Sequence, residues 1–292
     1  MSADVILKTE GISHTYSAGT PFERAAIRGV SFEARRGEYV GVIGHTGSGK
    51  STFIQHLNGL LKPDEGRVLL GGVDINSSKE ERRRARFRVG LVFQFPEYQL
   101  FEETTYKDVA FGPRNMGLSP EETDARVREA ARFVGLPEDM LEKSPFELSG
   151  GFRRRAAVAG VIAMRPEVLI LDEPTAGLDP RGRDSLLENI DAYNTELGAT
   201  VIIVTHSMEE AARRAKRIAV FEDGELVMNG APREIFGEGA RLRQMGLGLP
   251  RAAMIAERLR ARGVPLGRDI FTVEAIRDSL IAIKNGGGNN AS

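Results

Sequence analysis

A glycine-rich loop in the first fifth of the chain has the residue types and spacing that bind a phosphate chain. It reads Gly44-His-Thr-Gly-Ser-Gly-Lys-Ser, with the lysine at position 50 and the serine at position 51. In such a loop the backbone N–H groups and the positive end of the following helix surround an anion. Lys50 is then expected to reach the β and γ oxygens of a nucleotide, and Ser51 to ligate Mg²⁺.

The segments that flank this loop are those that a phosphate-binding loop requires. An apolar stretch at residues 39–43 predicts a strand before it. A helix is predicted after it, running to about Leu61, where Lys62-Pro63 stops it. An ordinary glycine-rich turn is the alternative, and it is the weaker one because a strand, this pattern and a helix rarely coincide by chance.

A second apolar stretch, at residues 168–171, ends in the two carboxylates Asp172 and Glu173. By themselves they are most simply explained as solvated acids at a strand end. Beside a phosphate-binding loop, however, an acid at the end of a neighbouring core strand is where Mg²⁺ needs a partner, which makes Asp172 the candidate ligand. Glu173 is then placed to accept a proton from an attacking water.

A second set of glycines, Ser149-Gly150-Gly151, begins a helix predicted to run through residues 153–164. Its exposed N–H groups also suit a phosphate, although a flexible entry loop would have the same composition. The nucleotide's phosphates already occupy the first loop. We therefore expect this helix end to close over a nucleotide that another copy of the chain holds.

The elements that must position these residues follow an α/β pattern. Residues 5–16, 26–34 and 66–71 read as strands of a β-rich N-terminal part. Residues 39–43, 168–171 and 201–204 are continuously apolar, which is typical of a parallel sheet covered by helices on both faces.

Helical segments interrupt and follow this strand series. Residues 97–164 have helical character, with a capping-box signature at Ser119-Pro-Glu-Glu122. Asp223-Gly224, between the apolar segments 218–221 and 225–228, predicts a hairpin turn. Residues 231–284 are predicted to form a helical appendage, and the glycine- and asparagine-rich residues 285–292 a disordered tail.

Composition narrows the functional classes. The chain has 292 residues, 40 Lys+Arg against 41 Asp+Glu, and no cysteine, which excludes disulfides, thiolate metal sites and cysteine nucleophiles. Its apolar runs are too short to span a bilayer, and its N-terminus has no secretory signal, so a cytoplasmic location is predicted. The charge run at residues 79–88 mixes both signs and indicates a solvated helix face, so no nucleic-acid partner is expected.

The chain resembles an ATP-binding-cassette (ABC) ATPase over most of its length. The resemblance rests on Leu148-Ser-Gly-Gly151 before Asp172 and on His206 after the apolar segment 201–204. The resemblance implies roles for five residues. Tyr16 would stack on adenine, Gln94 would sense Mg²⁺ and the attacking water, Leu178-Asp179 would link the two halves, and His206 would contact the γ-phosphate.

The same resemblance implies the architecture. It is a P-loop NTPase (RecA-like) α/β core with a mainly parallel sheet, an N-terminal antiparallel β-subdomain, an inserted helical subdomain and a small C-terminal helical appendage. The nucleotide-binding domain is expected at residues 4–230, with the helical subdomain at about 97–164, the appendage at 231–284 and the tail at 285–292.

ATP and Mg²⁺ are the implied cofactors, and three sets of residues are expected to act on them. The catalytic set is Glu173, His206, Gln94 and Lys50. The metal set is Ser51, Gln94 and Asp172. The nucleotide-binding set is Tyr16, Gly44, His45, Thr46, Gly47, Ser48, Gly49, Lys50, Ser51, Thr52, Ser149, Gly150 and Gly151.

A narrower resemblance rests on Phe93-Gln-Phe-Pro-Glu-Tyr-Gln-Leu-Phe101 and Asp108-Val-Ala-Phe-Gly-Pro-Arg-Asn. These segments are similar to the ATPase of energy-coupling-factor importers of vitamins or metal ions. That family implies an ATP-hydrolysing motor, peripheral on the cytoplasmic face of the cell membrane. Its implied partners are a second ATPase subunit, identical or merely similar, an integral membrane coupling subunit that docks near residues 96–101, and a separate substrate-binding membrane subunit.

Two alternatives come from other functional classes. A soluble ABC ATPase acting on nucleic acid or ribosomes usually has a coiled-coil insertion or a second cassette, and neither fits in this chain. A weakly hydrolysing, nucleotide-gated scaffold is disfavoured by the presence of Glu173 and His206. The scaffold hypothesis is still an alternative because Phe152 stands where the family usually has glutamine or another polar residue after Ser-Gly-Gly.

Overall fold

Continuous apolar segments form the centre of a six-stranded sheet in the computed structural model, which describes residues 4–267 and 269–286. The sheet order is β10-β9-β3-β8-β7-β6, and all neighbours are parallel except β9 and β10. Every residue of β3, β6, β7 and β8 is buried, as expected for strands covered on both faces. The strands are β3 (Tyr39–Gly44), β6 (Val89–Val92), β7 (Val168–Asp172), β8 (Thr200–Val204), β9 (Arg217–Glu222) and β10 (Glu225–Gly230).

The register of this sheet brings three strand ends to one edge. Val42 of β3 pairs with Val204 of β8, and Asp172 of β7 pairs with the same Val204. Because the strands are parallel, the segments that leave their carboxyl ends all leave on the same side. The phosphate loop, the Asp172-Glu173 pair and His206 therefore lie together.

The N-terminal part forms a separate four-stranded antiparallel sheet, ordered β2-β1-β4-β5. Its buried face packs across helix α1 onto the six-stranded sheet. Phe53 of α1 is the centre of this contact, since its ring lies 5.4 Å from Phe32 and 4.8 Å from Phe221 between ring centroids. The elements are β1 (Val5–Tyr16), β2 (Arg24–Arg35), α1 (Lys50–Leu57), β4 (Glu65–Leu70) and β5 (Val73–Asp74).

Helix α1 is shorter than the sequence predicts. It ends at Leu57 and not near Leu61, because Asn58 leaves the helical conformation and Gly59 has a left-handed backbone with φ of 72°. A glycine in this conformation just after the last helical residue is a common helix terminator. The predicted helix end at Lys62-Pro63 was therefore wrong, because Gly59 ends the helix before the proline is reached.

Helices of the insertion cover the second face of the large sheet. The predicted capping box is present, since the Ser119 side chain accepts from the Glu122 N–H while the Glu122 carboxylate accepts from the Ser119 N–H. Val127, Ala159 and Leu187 from three different helices pack with Leu169 and Ile203 in one core. The insertion contains α3 (Thr105–Asn115), α4 (Pro120–Val134) and α5 (Gly150–Ile162), and α6 (Pro180–Leu197) packs in the same core; α2 (Lys79–Arg88) and α7 (Met208–Arg214) pack in the other cores of the sheet.

In the described part of the chain, four helices follow the predicted hairpin at Asp223-Gly224. The first three pack beside β3 and β9, and the last packs against the third in a smaller core. Phe236 and Leu242 from this region share a core with Ile43 and Ile218. The helices are α8 (Pro232–Gly237), α9 (Gly239–Gln244), α10 (Arg251–Ala261) and α11 (Val273–Gly286). Of the predicted disordered tail, residues 285 and 286 belong to α11, and residues 287–292 lie outside the described residues.

Within the described part of the chain, each helix is either too short or too polar to cross a bilayer.

The close approach of β4 to β1 predicts a position where only glycine fits. Gly66 has φ of 78°, and a Cβ there would lie 2.4 Å from the carbonyl oxygens of Glu10 and Gly11. We expect Gly66→Ala to lower the free energy of unfolding by about 3 kcal/mol or more, because a backbone clash adds to left-handed strain. The measurement is the midpoint of urea unfolding.

Gly11→Ala is the matched control. Gly11 also has a left-handed backbone, with φ of 57°, but a Cβ there would have no neighbour within 4 Å. Its loss is expected to be about 1–2 kcal/mol, from strain alone. Equal losses in the two variants would contradict the proposed clash.

Candidate nucleotide site

The phosphate loop is built where side chains have no room. A Cβ on Gly44 would lie 2.4 Å from the carbonyl oxygen of Phe221, and one on Gly49 would lie 2.5 Å from that of Ala26. Gly49 also has φ of 97°, which non-glycine residues rarely adopt. The glycines therefore let the loop pack against β9 and β2.

Lys50, the first residue of α1, folds back across the loop. Its Nζ donates to the carbonyl oxygens of Gly44 and His45, each at 2.8 Å, and to Ser48 Oγ at 3.3 Å. Burial lowers the pKa of Lys50, and the nearby charges of Glu173 and Asp172 oppose that shift. The ammonium is thus held at the centre of the loop, beside the position that phosphate oxygens would take.

Ser51 and Asp172 bring two hard oxygen donors together at the strand edge. Ser51 Oγ donates to Asp172 Oδ2 at 3.1 Å. Burial raises the pKa of Asp172, the Glu173 charge raises it further, and the Ser51 hydrogen bond and Lys50 oppose the rise. A buried carboxylate whose charged form is disfavoured is stabilised by a cation, so these two side chains fit Mg²⁺.

This candidate metal site is not formed by protein ligands alone. Among the residues described, no group of three or more His, Asp or Glu side chains is arranged to hold a metal ion. Mg²⁺ commonly binds through one or two protein oxygens together with substrate phosphates and water. The donor set therefore fits a metal that arrives with a nucleotide.

Three polar side chains from different segments meet above Asp172. His206 Nε2 lies 2.6 Å from Glu173 Oε1, and Gln94 Nε2 donates to Glu173 Oε2 at 3.2 Å. Glu173 has a left-handed backbone with φ of 47°, and its N–H donates to the Val204 carbonyl at 3.0 Å. The structure thus brings together Gln94, Glu173 and His206, which are distant in the sequence.

A cavity of about 440 Å³ opens beside these groups. Tyr16 lines this cavity. Its hydroxyl lies 3.3 Å from Thr52 Oγ1, and its ring packs edge to face with His14, with 4.7 Å between ring centroids. The lining residues are Tyr16, Arg24, Ala26, Thr46, Gly47, Gly49, Lys50, Ser51, Thr52, Gln94, Glu173 and His206. Most of the predicted nucleotide-binding residues therefore surround one cavity, with Gly44, His45, Ser48 and Asp172 in the adjoining loop and strand end.

Sequence reasoning missed Arg24 and Ala26. Arg24 pairs with Tyr16 across strands β1 and β2, and its Nη2 would lie 3.4 Å from a Cβ on Gly47. Within the described residues its guanidinium forms no ion pair, and it lines the cavity beside the phosphate loop. Only the register of the two strands places it there, and no local motif contains that information.

The Ser149-Gly150-Gly151 helix end is the part of the predicted site that the cavity does not include. Ser149 caps α5 by accepting from the Phe152 N–H at 3.4 Å, and both glycines are exposed with no neighbour within 4 Å of an added Cβ. Ser149 and Gly151 instead line a separate cavity of about 200 Å³, together with Phe152, Leu178 and Asp179. One chain does not unite this helix end with the phosphate loop.

Phe152 is accommodated as an apolar residue. Its side chain is half-buried and packs with Leu178 against the core of the helical insertion. The Ser149 cap and the two glycines keep their geometry around it.

Comparison with known proteins agrees with this geometry. The family model described as "ABC transporter" matches residues 27–176. The chain is 48% identical over 283 residues, covering 97% of it and 99% of the relative, to the energy-coupling factor transporter ATP-binding protein EcfA2 of Caldanaerobacter subterraneus subsp. tengcongensis. It is 51% identical over 279 residues, covering 94% and 96%, to the EcfA2 protein of Symbiobacterium thermophilum.

Solved structures show the same likeness. CbiO1 from Clostridium perfringens, described as part of the ABC transporter complex cbiONQ, has a TM-score of 0.73 at 39% identity, covering 87% of this chain and 99% of that one. A dimeric ATP-binding cassette in a post-hydrolysis state with ADP and Pi has a TM-score of 0.71 at 29% identity, covering 78% and 99%.

These findings confirm the fold class and both resemblances inferred from the motifs, and with them the expectation that ATP is the nucleotide bound. The chain belongs to the ABC transporter family and, within it, to the energy-coupling factor transporter ATP-binding proteins.

Proposed function

We propose that this chain is the ATP-hydrolysing motor subunit of an energy-coupling-factor importer for a vitamin or a transition-metal ion. The observation that carries the proposal is the meeting of Gln94, Glu173 and His206 at the phosphate-loop cavity. A site that only bound a nucleotide would not need a carboxylate held between an amide and an imidazole beside the phosphates.

Binding uses groups that are already oriented. The adenine ring stacks on Tyr16, whose ring is held by His14 and by the Thr52 hydroxyl. Loop N–H groups and Lys50 receive the phosphates, with Lys50 exchanging its contacts to loop carbonyls for contacts to phosphate oxygens. Ser51 and Asp172 would hold Mg²⁺, which when bound neutralises phosphate charge.

Hydrolysis is assigned to the three side chains above the metal pair. Glu173 accepts a proton from water as the water oxygen forms a bond to the γ-phosphorus, and the bond from phosphorus to the β,γ-bridging oxygen breaks to release ADP. Gln94 and His206 hold the Glu173 carboxylate from two sides and orient the water and the γ-phosphate.

A second cassette completes the site in this proposal. Ser149, Gly150 and Gly151 are exposed and lie outside the cavity of their own chain, so their N–H groups are free to meet the γ-phosphate held by a partner. A cassette similar to this chain is described as dimeric. The partner is either an identical chain or a similar second ATPase.

The residues that follow Gln94 in the sequence form an exposed aromatic surface, to which we assign the membrane partner. Tyr98 is 81% exposed and Phe101 is 60% exposed, and Phe101 meets Phe111 edge to face at 5.2 Å. Exposed aromatic clusters of this kind are common at protein interfaces. We assign this surface to an integral membrane coupling subunit, which in turn serves a separate substrate-binding membrane subunit and places the chain peripherally on the cytoplasmic face.

Glu173→Gln tests the assigned base. An amide has nearly the same shape but cannot take the proton, so ATP affinity should be kept while turnover falls at least 100-fold. The measurements are phosphate release and nucleotide binding, with size-exclusion chromatography to detect an ATP-stabilised dimer. Near-normal hydrolysis would remove Glu173 from this role.

Arg24→Ala tests the cation that the structure adds to the site. Removing a charge-assisted contact to phosphate should weaken ATP binding about tenfold or more. Arg28→Ala is the matched control, because Arg28 lies on the same strand, is exposed and is outside the cavity. Equal ATP dissociation constants for the two variants would exclude a contact between Arg24 and the nucleotide.

Phe152→Gln tests the effect of phenylalanine at the position after Ser-Gly-Gly, where the family usually has a polar residue. We expect turnover to stay within about threefold, because the cap and the glycine N–H groups persist, while about 1 kcal/mol of stability is lost with the half-buried ring. Phe146→Gln is the control, since that ring is 71% exposed. A large gain in turnover for Phe152→Gln would show that the phenylalanine suppresses hydrolysis.

A further inference from the structure

The three residues that follow Glu173, Pro174-Thr175-Ala176, are each held by a side chain from another element. Arg154 of α5 donates through Nη1 to the Pro174 carbonyl at 3.3 Å and to the Ala176 carbonyl. Glu210 of α7 accepts from Thr175 Oγ1 at 3.4 Å. The segment is therefore held by α5 through its backbone carbonyls and by α7 through the Thr175 side chain.

Arg154 is a buried cation with its hydrogen bonds used. Its side chain is 3% exposed, and it forms a two-pronged pair with Glu97, from Nε to Oε2 at 3.0 Å and from Nη2 to Oε1 at 2.9 Å. The guanidinium also lies 5.6 Å from the ring centroid of Phe95. Since Phe95 and Glu97 lie one and three residues after Gln94, this one side chain connects α5, the segment after Gln94 and residues 174–176.

Glu210 is the corresponding buried anion. Its side chain is 7% exposed, and Oε2 accepts from Thr205 Oγ1 at 3.0 Å, while the Ser207 N–H donates to that same hydroxyl at 3.0 Å. Arg183 Nε lies 3.6 Å from Oε1. Glu210 thereby connects residues 174–176 with the turn that carries His206 and with the first turn of α6, which follows Leu178-Asp179.

A local strain explains why such holding is needed. Glu173 has a left-handed backbone, which costs a non-glycine residue about 1–2 kcal/mol and persists only where surrounding contacts impose it. If residues 174–176 relaxed, the Glu173 carboxylate would leave its positions beside His206 and Gln94. Small displacements of a reacting group reduce rates strongly.

We propose that Arg154 and Glu210 are positioning residues that clamp residues 174–176 and so fix the carboxylate of Glu173 for hydrolysis. The two side chains act from opposite elements and touch no nucleotide atom in this role. The proposal rests on the proposed function, in which Glu173 is the base. Because Arg154 belongs to the helical insertion, the clamp also makes the position of Glu173 depend on the position of that insertion.

The test measures turnover per ATP-binding site, so that loss of folded protein does not count. Thr175→Val removes the hydroxyl that donates to Glu210, and Glu210→Gln removes the charge of the carboxylate. Arg154→Lys keeps a cation beside Glu97 but cannot donate to the Pro174 and Ala176 carbonyls together. Each should lower kcat about tenfold while the ATP dissociation constant changes less than twofold. Thr175→Ser, which restores the hydroxyl, should recover most of the lost rate.

Two comparisons make the outcome decisive. Glu209→Gln is the matched control, because Glu209 is the neighbouring carboxylate on α7 but accepts from the Arg251 N–H at the start of α10. Thr175→Val and Glu210→Gln should also be non-additive, since one removes and the other weakens the same contact. An unchanged kcat in either Thr175→Val or Arg154→Lys, or an equal loss of ATP affinity and kcat, would overturn the clamp.

The proposed function fails separately. If Glu173→Gln hydrolyses ATP normally, Glu173 is not the base. If that variant is inactive while the clamp variants turn over normally, only the clamp is wrong.

Discussion

Everything in this molecule that concerns phosphate chemistry depends on the register of three parallel strands. Pairing of Val42 and of Asp172 with the same residue, Val204, brings the carboxyl ends of β3, β7 and β8 to one edge. A shift of one residue in β7 would turn Asp172 to the other face of the sheet, because side chains alternate along a strand. The buried apolar residues of these strands fix that register, so the core sets the distance between Ser51 and Asp172 as well as the stability.

The electrostatics of the site are arranged for an incoming charge. Burial lowers the pKa of Lys50 and raises that of Asp172, so both charged forms are disfavoured before a ligand arrives. A nucleotide with its metal supplies an anion beside the first and a cation beside the second. Nucleotide binding and the charged forms of the two side chains therefore favour each other, which explains why two opposite charges are kept buried side by side.

Local signals in the sequence were sufficient for eight of the ten strands, the phosphate loop and the capping box, because each depends on residues close together in the chain. The short edge strands β5 and β6 were not predicted. The end of α1 was misplaced because Gly59 stops the helix before Lys62-Pro63 does. Arg24 reaches the site only through strand pairing with Tyr16, and Arg154 appears in the sequence as one member of an arginine run. Contacts made by folding over long chain separations leave no local pattern from which to infer them.

The two halves of the candidate site differ in what they still require. Gln94, Glu173 and His206 already touch within one chain, whereas the Ser149-Gly150-Gly151 helix end is exposed and does not line the cavity. Exposed N–H groups at a helix start are satisfied by water until an anion replaces it. A γ-phosphate held by a second chain would make that replacement and would be lost on hydrolysis. The strength of the contact between chains would then follow the nucleotide state, which is the property that a motor needs.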